Sequence, residues 1–224
     1  MRRAILIFVC MAWLAGPGAR RAGAQAPVPS GGAQAVDGVA ARIEDDILTE
    51  SEVRELGAFQ QLVDGRAKPR DERIRELADQ WILRGEAEAA KYPQPAPDDV
   101  SHAYAQLAAQ FASPEEFQHR CAAAGLTEAA VRRMLGQQLY LSRFIDYRFR
   151  PAAQVDQKQI ENYYSSEFTP QLKVRGQPVP PLETVEDTIR EVLIQREISA
   201  RAMQWLDETR ERLKIDIMSQ GDRP

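Results

Sequence analysis

Cysteine is almost missing from this sequence. Cys10 and Cys121 are the only two among 224 residues, so a fold stapled by several disulfides is excluded. Histidine is as scarce. His102 and His119 are the full set, and neither sits at a carboxylate–His or His–Cys spacing of metal-ligand type. There is no Gly-rich phosphate loop, no G-x-S-x-G and no C-x-x-C. Asp45-Asp46, Asp98-Asp99 and Glu115-Glu116 fall at turns and helix starts, where carboxylates have structural work. No catalytic residue, metal ligand or cofactor is therefore assigned, and the chain is read as non-enzymatic. An excess of positive charge is also lacking. With 29 Lys+Arg against 33 Asp+Glu the formal net charge is −4, which argues against a nucleic-acid binder, since that needs a basic face. Long apolar runs are absent too. The longest, Ala4 to Ala15, is about a dozen residues, too short to span a bilayer.

That run has a different meaning. Arg2 and Arg3 precede it, and Ala22-Gly23-Ala24 supplies a small-x-small cleavage pattern. Residues 1–24 are predicted to be a signal peptide cut after Ala24, sending the product to the periplasm. Cys10 follows Val9 inside the run, which argues against lipidation. Cleavage removes four arginines and no acids, leaving 25 − 33 = −8 over 200 residues. Residues 25–35 are rich in Pro, Gly, Ser and Ala and read as a disordered mature N-terminus. Cys121 remains, within "FQHRCAAAG", and is expected to be a small buried side chain.

What the chain has in plenty is helical periodicity. Thr49 and Glu52 form a capping box for a helix of about Glu50 to Leu62. Ile74, Leu77, Ala78, Trp81 and Ile82 make one face of a helix from Asp71 to Tyr92, stopped by "YPQPAP". A third helix starts at Asp98. Ser113, Pro114 and Glu116 mark the start of a fourth, which ends at Gly125. Thr127 caps a fifth, to about Arg148. Its second half carries Leu139, Tyr140, Leu141, Phe144, Ile145, Tyr147 and Phe149, more than one face can hold. "DQKQIENYYSSEF" reads as a short helix and "TPQLKVRGQPVPPLE" as a linker with four prolines. A final helix spans about Glu183 to Arg212, with Val185, Ile189, Val192, Met203 and Leu206 in one stripe and Ile194, Ile198 and Trp205 in a second.

Two stretches break the helical period. Val39, Ala41 and Ile43 alternate with Ala40, Arg42 and Glu44, then Ile47 and Leu48 follow an acidic turn: a hairpin. At the far end, Leu213, Ile215 and Ile217 alternate with Lys214, Asp216 and Met218. A two-stranded hairpin is marginal alone, so 213–218 is predicted to pair with 38–44. The expected fold is mainly α, a multi-helix domain closed by a small β-sheet from the N-terminal hairpin and the C-terminal strand.

The order of these segments resembles the chaperone region of the SurA-type periplasmic chaperones. The residues that carry the resemblance are "VAARIEDDILTESEV", "RELADQWILRGEAEAAKY", the helices between Pro95 and Ile145, "VDQKQIENYY", and "PPLETVEDTIREVLIQREISARAMQWLDETRERLKIDI". Together they cover about Val36 to Ile217. The domain is set at 36–218, with a helical part 36–164, a Pro-rich linker 165–182, and a closing helix and strand 183–218. Relatives of this type often insert parvulin prolyl-isomerase domains before the closing helix. Here only Ser165 to Leu182 lies between, and both histidines fall upstream. Glu44-Asp45-Asp46 also replaces the Asn/Asp/Gly-type turn of that family.

The resemblance implies an ATP-independent holdase for unfolded outer-membrane or secreted polypeptides. The alternatives are a prolyl isomerase and an interaction protein with one dedicated envelope partner. The expected partners are polypeptide clients, with no nucleic acid and no membrane span after cleavage; a homodimer is allowed. Tyr140, Phe144, Tyr147 and Trp205 are the candidate client-binding residues, since they lie off the simplest core stripe. Ordinary helix packing is the competing role for each.

Overall fold

The structure, a computed structural model, describes residues 37–218. The predicted signal peptide and the segment 25–35 lie outside the described residues. Strands β1 (Val39–Ile43) and β2 (Asp46–Thr49) form the hairpin. Helices α1 (Glu50–Asp64), α2 (Arg70–Ala89), α3 (Pro97–Ala108), α4 (Pro114–Ala123) and α5 (Glu128–Phe149) follow. A 3₁₀ turn at Arg150–Ala152 leads to α6 (Gln157–Tyr163), a π turn (Tyr164–Phe168), α7 (Thr169–Val174), the long α8 (Leu182–Arg210) and strand β3 (Ile215–Ile217). The fold is mainly α, closed by a three-stranded sheet of order β2-β1-β3.

The hairpin solves its stability problem as its sequence pattern foretells. β3 lies antiparallel to β1 with Ala41 opposite Ile217, Arg42 opposite Asp216 and Ile43 opposite Ile215. The strict alternation does not hold, however. The register shifts between Val39 and Ala41, and this bulge turns both Ala40 and Ala41 inward. The two-residue turn is Glu44-Asp45, with Glu44 at φ 51° in the left-handed region. Its acidic character has a use. The Glu44 carboxylate accepts the Lys214 amide at 2.7 Å, while the Glu44 amide donates to the Lys214 carbonyl at 3.0 Å. Trp81 Nε1 donates to Asp46 at 2.8 Å, fixing the hairpin to α2.

The helix starts follow their caps. Thr49 and Glu52 form the reciprocal capping box of α1, and Asp37 adds an acceptor for the Ser51 amide at 3.0 Å. Ser113 and Thr127 cap α4 and α5. Three core clusters result. The sheet packs on α1 and α2 through Ala40, Ala41, Ile43, Val53, Ile74 and Ala78. The far half of α1 joins α3, α4 and the start of α5 around Phe59, Leu107, Phe117 and Val131, with Cys121 buried among them. The ends of α2, α5 and α8 meet at Ile82, Leu83, Ala87, Tyr140, Phe144 and Leu206. Helix α2 thus ties the sheet to the α5–α8 end.

Two expectations are corrected here. The stretch read as a linker from Thr169 stays helical to Val174. Pro170 cannot donate to a carbonyl one turn back. A wide π turn precedes it, with Thr169 N reaching Tyr164 O and the Ser166 hydroxyl donating to the Asn162 carbonyl at 2.6 Å. Irregular chain is confined to 175–181, where Gly176 at φ 64° turns the chain. On α8, Met203 is 64% exposed instead of lying in the buried stripe. The buried face of that helix runs through Ile189, Ile198, Ala202 and Leu206.

Candidate functional site

The aromatic end of α5 is where side chains exceed what one core face can take. Tyr140 and Phe144, one turn apart, point into the α2–α5–α8 core and retain only 4% and 1% exposure. Burial pushes the Tyr140 phenol up from its usual value. Its hydroxyl donates to the Tyr92 carbonyl at 3.4 Å. Tyr147, one turn further, is 62% exposed. These three side chains are brought together by Tyr92, whose ring centre lies 5.9, 5.6 and 5.2 Å from those of Tyr140, Phe144 and Tyr147.

Tyr92 was not singled out from the sequence, yet it is the centre of this cluster. It is held there by the way α2 ends. Lys91 adopts φ 51°, the Tyr92 amide donates to Ala87 O at 2.8 Å, and the Lys91 amide to Glu88 O at 2.9 Å. This is a Schellman ending with a lysine in the place glycine usually takes. It folds Tyr92 back over Ala87 and onto α5. The sequence signal was the aromatic just ahead of Pro93, a residue read only as the helix stop.

A second aromatic group lies at the end of the same helix. Phe149 and Trp205 approach to 6.0 Å between ring centres. The Arg148 guanidinium sits 4.7 Å from the centre of Trp205 and 5.7 Å from that of Phe149, and pairs with Glu86 at 3.0 Å. Trp205 is half-buried, with this cation covering its face. Of the four sequence candidates, then, Tyr140 and Phe144 are consumed by the core, Trp205 is partly covered, and Tyr147 alone presents most of its surface.

Ion pairs brace the helices around this end. Arg150 binds Asp146 (2.8 Å) and Glu191 (2.7 Å) together, and Gln195 donates to both carboxylates. Arg150 holds the Glu191 and Asp146 carboxyls below their ordinary range. Arg143 does the same for Asp99 across a 2.7 Å bridge from α5 to α3. Asp79 on α2 behaves oppositely, since burial pushes its carboxyl up. It lies 2.9 Å from Arg210 Nε, but the angle is poor and neither atom is hydrogen-bonded.

Elsewhere the surface offers a shallow cleft of about 510 Å³ between α1 and the α4–α5 corner. Its lining is polar, with Glu55 and Arg133 paired across it. His102 and His119 are exposed. Among the described residues, no group of three or more His, Cys, Asp or Glu is placed to hold a metal ion, and no helix is long and apolar enough to cross a membrane. No family model matches the chain, and no curated protein matches it well enough to count as a relative.

Proposed function

We propose that this chain is a client-binding module: an ATP-independent holdase that works in the periplasm and shields apolar segments of unfolded outer-membrane or secreted polypeptides. The observation that supports this reading best is the aromatic surface at the α5 end. Tyr147 stands mostly in solvent while resting on Tyr92, and at the same helix end Phe149 and Trp205 form a second, half-buried pair against the Arg148 guanidinium. Rings and a guanidinium make contacts that tolerate many partner sequences, each worth about 0.5–1 kcal/mol when exposed. Such contacts suit a surface that must hold and release varied segments. The closing of the helices by a sheet made from both ends fits the architecture implied by the SurA-type resemblance. A net charge of −8 after the predicted cleavage would keep a loaded complex in solution.

The test is suppression of aggregation of an unfolded outer-membrane protein, repeated with two unrelated unfolded clients. Slowed aggregation of all three supports the holdase. Protection of one alone would transfer the reading to a dedicated partner protein. Acceleration of proline-peptide isomerisation would overturn it in favour of an enzyme.

A further inference from the structure

Strand β3 is the least anchored part of the sheet. Three of its residues pair with β1. Ile215 is half-buried at the margin of the sheet core, Asp216 is exposed and Ile217 is 41% exposed. The strand it lies against is different. Ala41 and Ile43 are fully buried in a cluster with Val53, Ile74 and Ala78 from α1 and α2. The edge of β1 is therefore held in place largely by helices on its face, while the strand that fills that edge is lightly held. Segments with few buried apolar contacts lie at the low end of local stability.

Departure of β3 would free a defined set of groups. The Glu44 amide would lose the Lys214 carbonyl, the Ala40 carbonyl would lose the Met218 amide, and the Glu44 carboxylate would lose the Lys214 amide. Any extended antiparallel segment can satisfy the main-chain part of that set.

We propose that the β1 edge is an exchangeable strand site, with β3 as its resident occupant and an extended segment of another polypeptide as the incoming one. The resident strand specifies the chemistry. The occupant carries an apolar residue opposite Ile43, a polar one opposite Arg42 and an apolar one opposite Ala41, as Ile215, Asp216 and Ile217 do. Just ahead of the strand, the backbone of the residue at 214 exchanges hydrogen bonds with Glu44 in the acidic turn, its amide to the carboxylate and its carbonyl to the Glu44 amide. Apolar–polar alternation is the pattern of a half-buried strand, so the partner class is an unfolded segment of a β-rich protein. This site is separate from the aromatic surface and does not depend on it.

The test uses the full chain with C10S and a cysteine pair, R42C and D216C. These positions face each other across the two strands and are exposed. Opposed residues there are about 5.5 Å apart at Cα, within reach of a disulfide. The probe is a fluorescent peptide of sequence RLKIDIM. The control has the same composition with its isoleucines adjacent. The probe should bind the reduced protein and lose at least about tenfold in affinity on oxidation, with recovery after reduction. The control should bind neither form. Equal binding to both forms, no binding to the reduced form, or equal binding of the control would overturn the proposal. So would failure of the pair to oxidise, because the register would then be wrong. A concentration-dependent dimer of the reduced protein, absent after oxidation, would assign the edge to a second copy instead.

Discussion

Tyr140, Phe144 and Tyr147 follow one another at helical spacing, yet only the first two enter the cluster shared with α2 and α8. Those two are buried, while Tyr147 is mostly exposed and rests only on Tyr92 among the aromatic rings. Phe144→Ala should cost about 3–5 kcal/mol in a urea titration, the range for deleting a buried aromatic. Tyr147→Ser should change stability by no more than about 0.5 kcal/mol, while weakening aggregation suppression. Loss of stability in Tyr147→Ser equal to that of Phe144→Ala would return Tyr147 to the core. Asp79 supplies a second contrast. Its carboxyl is raised in the fold by burial, ahead of the opposing pull of Arg210. A raised carboxyl favours folding when protonated, so its contribution is present below the ordinary carboxylate range and lost as pH rises through the folded value. Asp79→Asn should therefore raise the melting temperature at pH 7 and give no gain below about pH 4. Calorimetry across that range checks the sign.

The short segments that begin elements were legible because capping chemistry is local. Thr49, Ser113 and Thr127 each bond the amide three residues on, and no tertiary information is needed to foresee that. The stretch from Thr169 to Val174 was not legible, because proline ordinarily ends a helix and no periodicity announces the π turn through which the chain stays helical. Tyr92 escaped for a similar reason, since its position depends on a left-handed lysine. Between α5 and α8 the joint is electrostatic as well as apolar. Arg150 bridges Asp146 and Glu191 and depresses both carboxyls. The sign is opposite to that at Asp79. Stabilisation is present above the ordinary carboxylate range and disappears as pH falls through the folded values. These groups are more than a third exposed, so water and salt screen them. Arg150→Gln should cost about 1 kcal/mol at neutral pH and low salt. It should also flatten the acid limb of the stability curve below about pH 4. An unchanged acid limb would show that the network does not carry that dependence.

Across the chain, the same division holds. The pairing of residues far apart in sequence was inferable from two strand-period stretches, each too weak to stand alone. The partition of apolar side chains into three clusters was not, because Met203 and Ala202 carry similar signals and only packing decides which faces inward. The sheet that joins the two ends is nonetheless small, and its contribution can be bounded. A chain ending at Lys214 loses Ile215 from the margin of the sheet core and the pairing opposite Ala41, Arg42 and Ile43. It keeps Leu213 in the α8 cluster and the Glu44–Lys214 contact. Half-burial of one isoleucine and a few exposed hydrogen bonds amount to roughly 1–3 kcal/mol. Helices with their own caps and cores should survive that loss. The truncated chain should show the far-ultraviolet helical signal of the full chain and a lower urea midpoint with a similar slope. Amides of β1 should exchange faster, while those of α2 at Ile74 and Ala78 stay protected. Collapse of the helical signal would mean that the strand holds the helices together, and that the edge of β1 has no independent support.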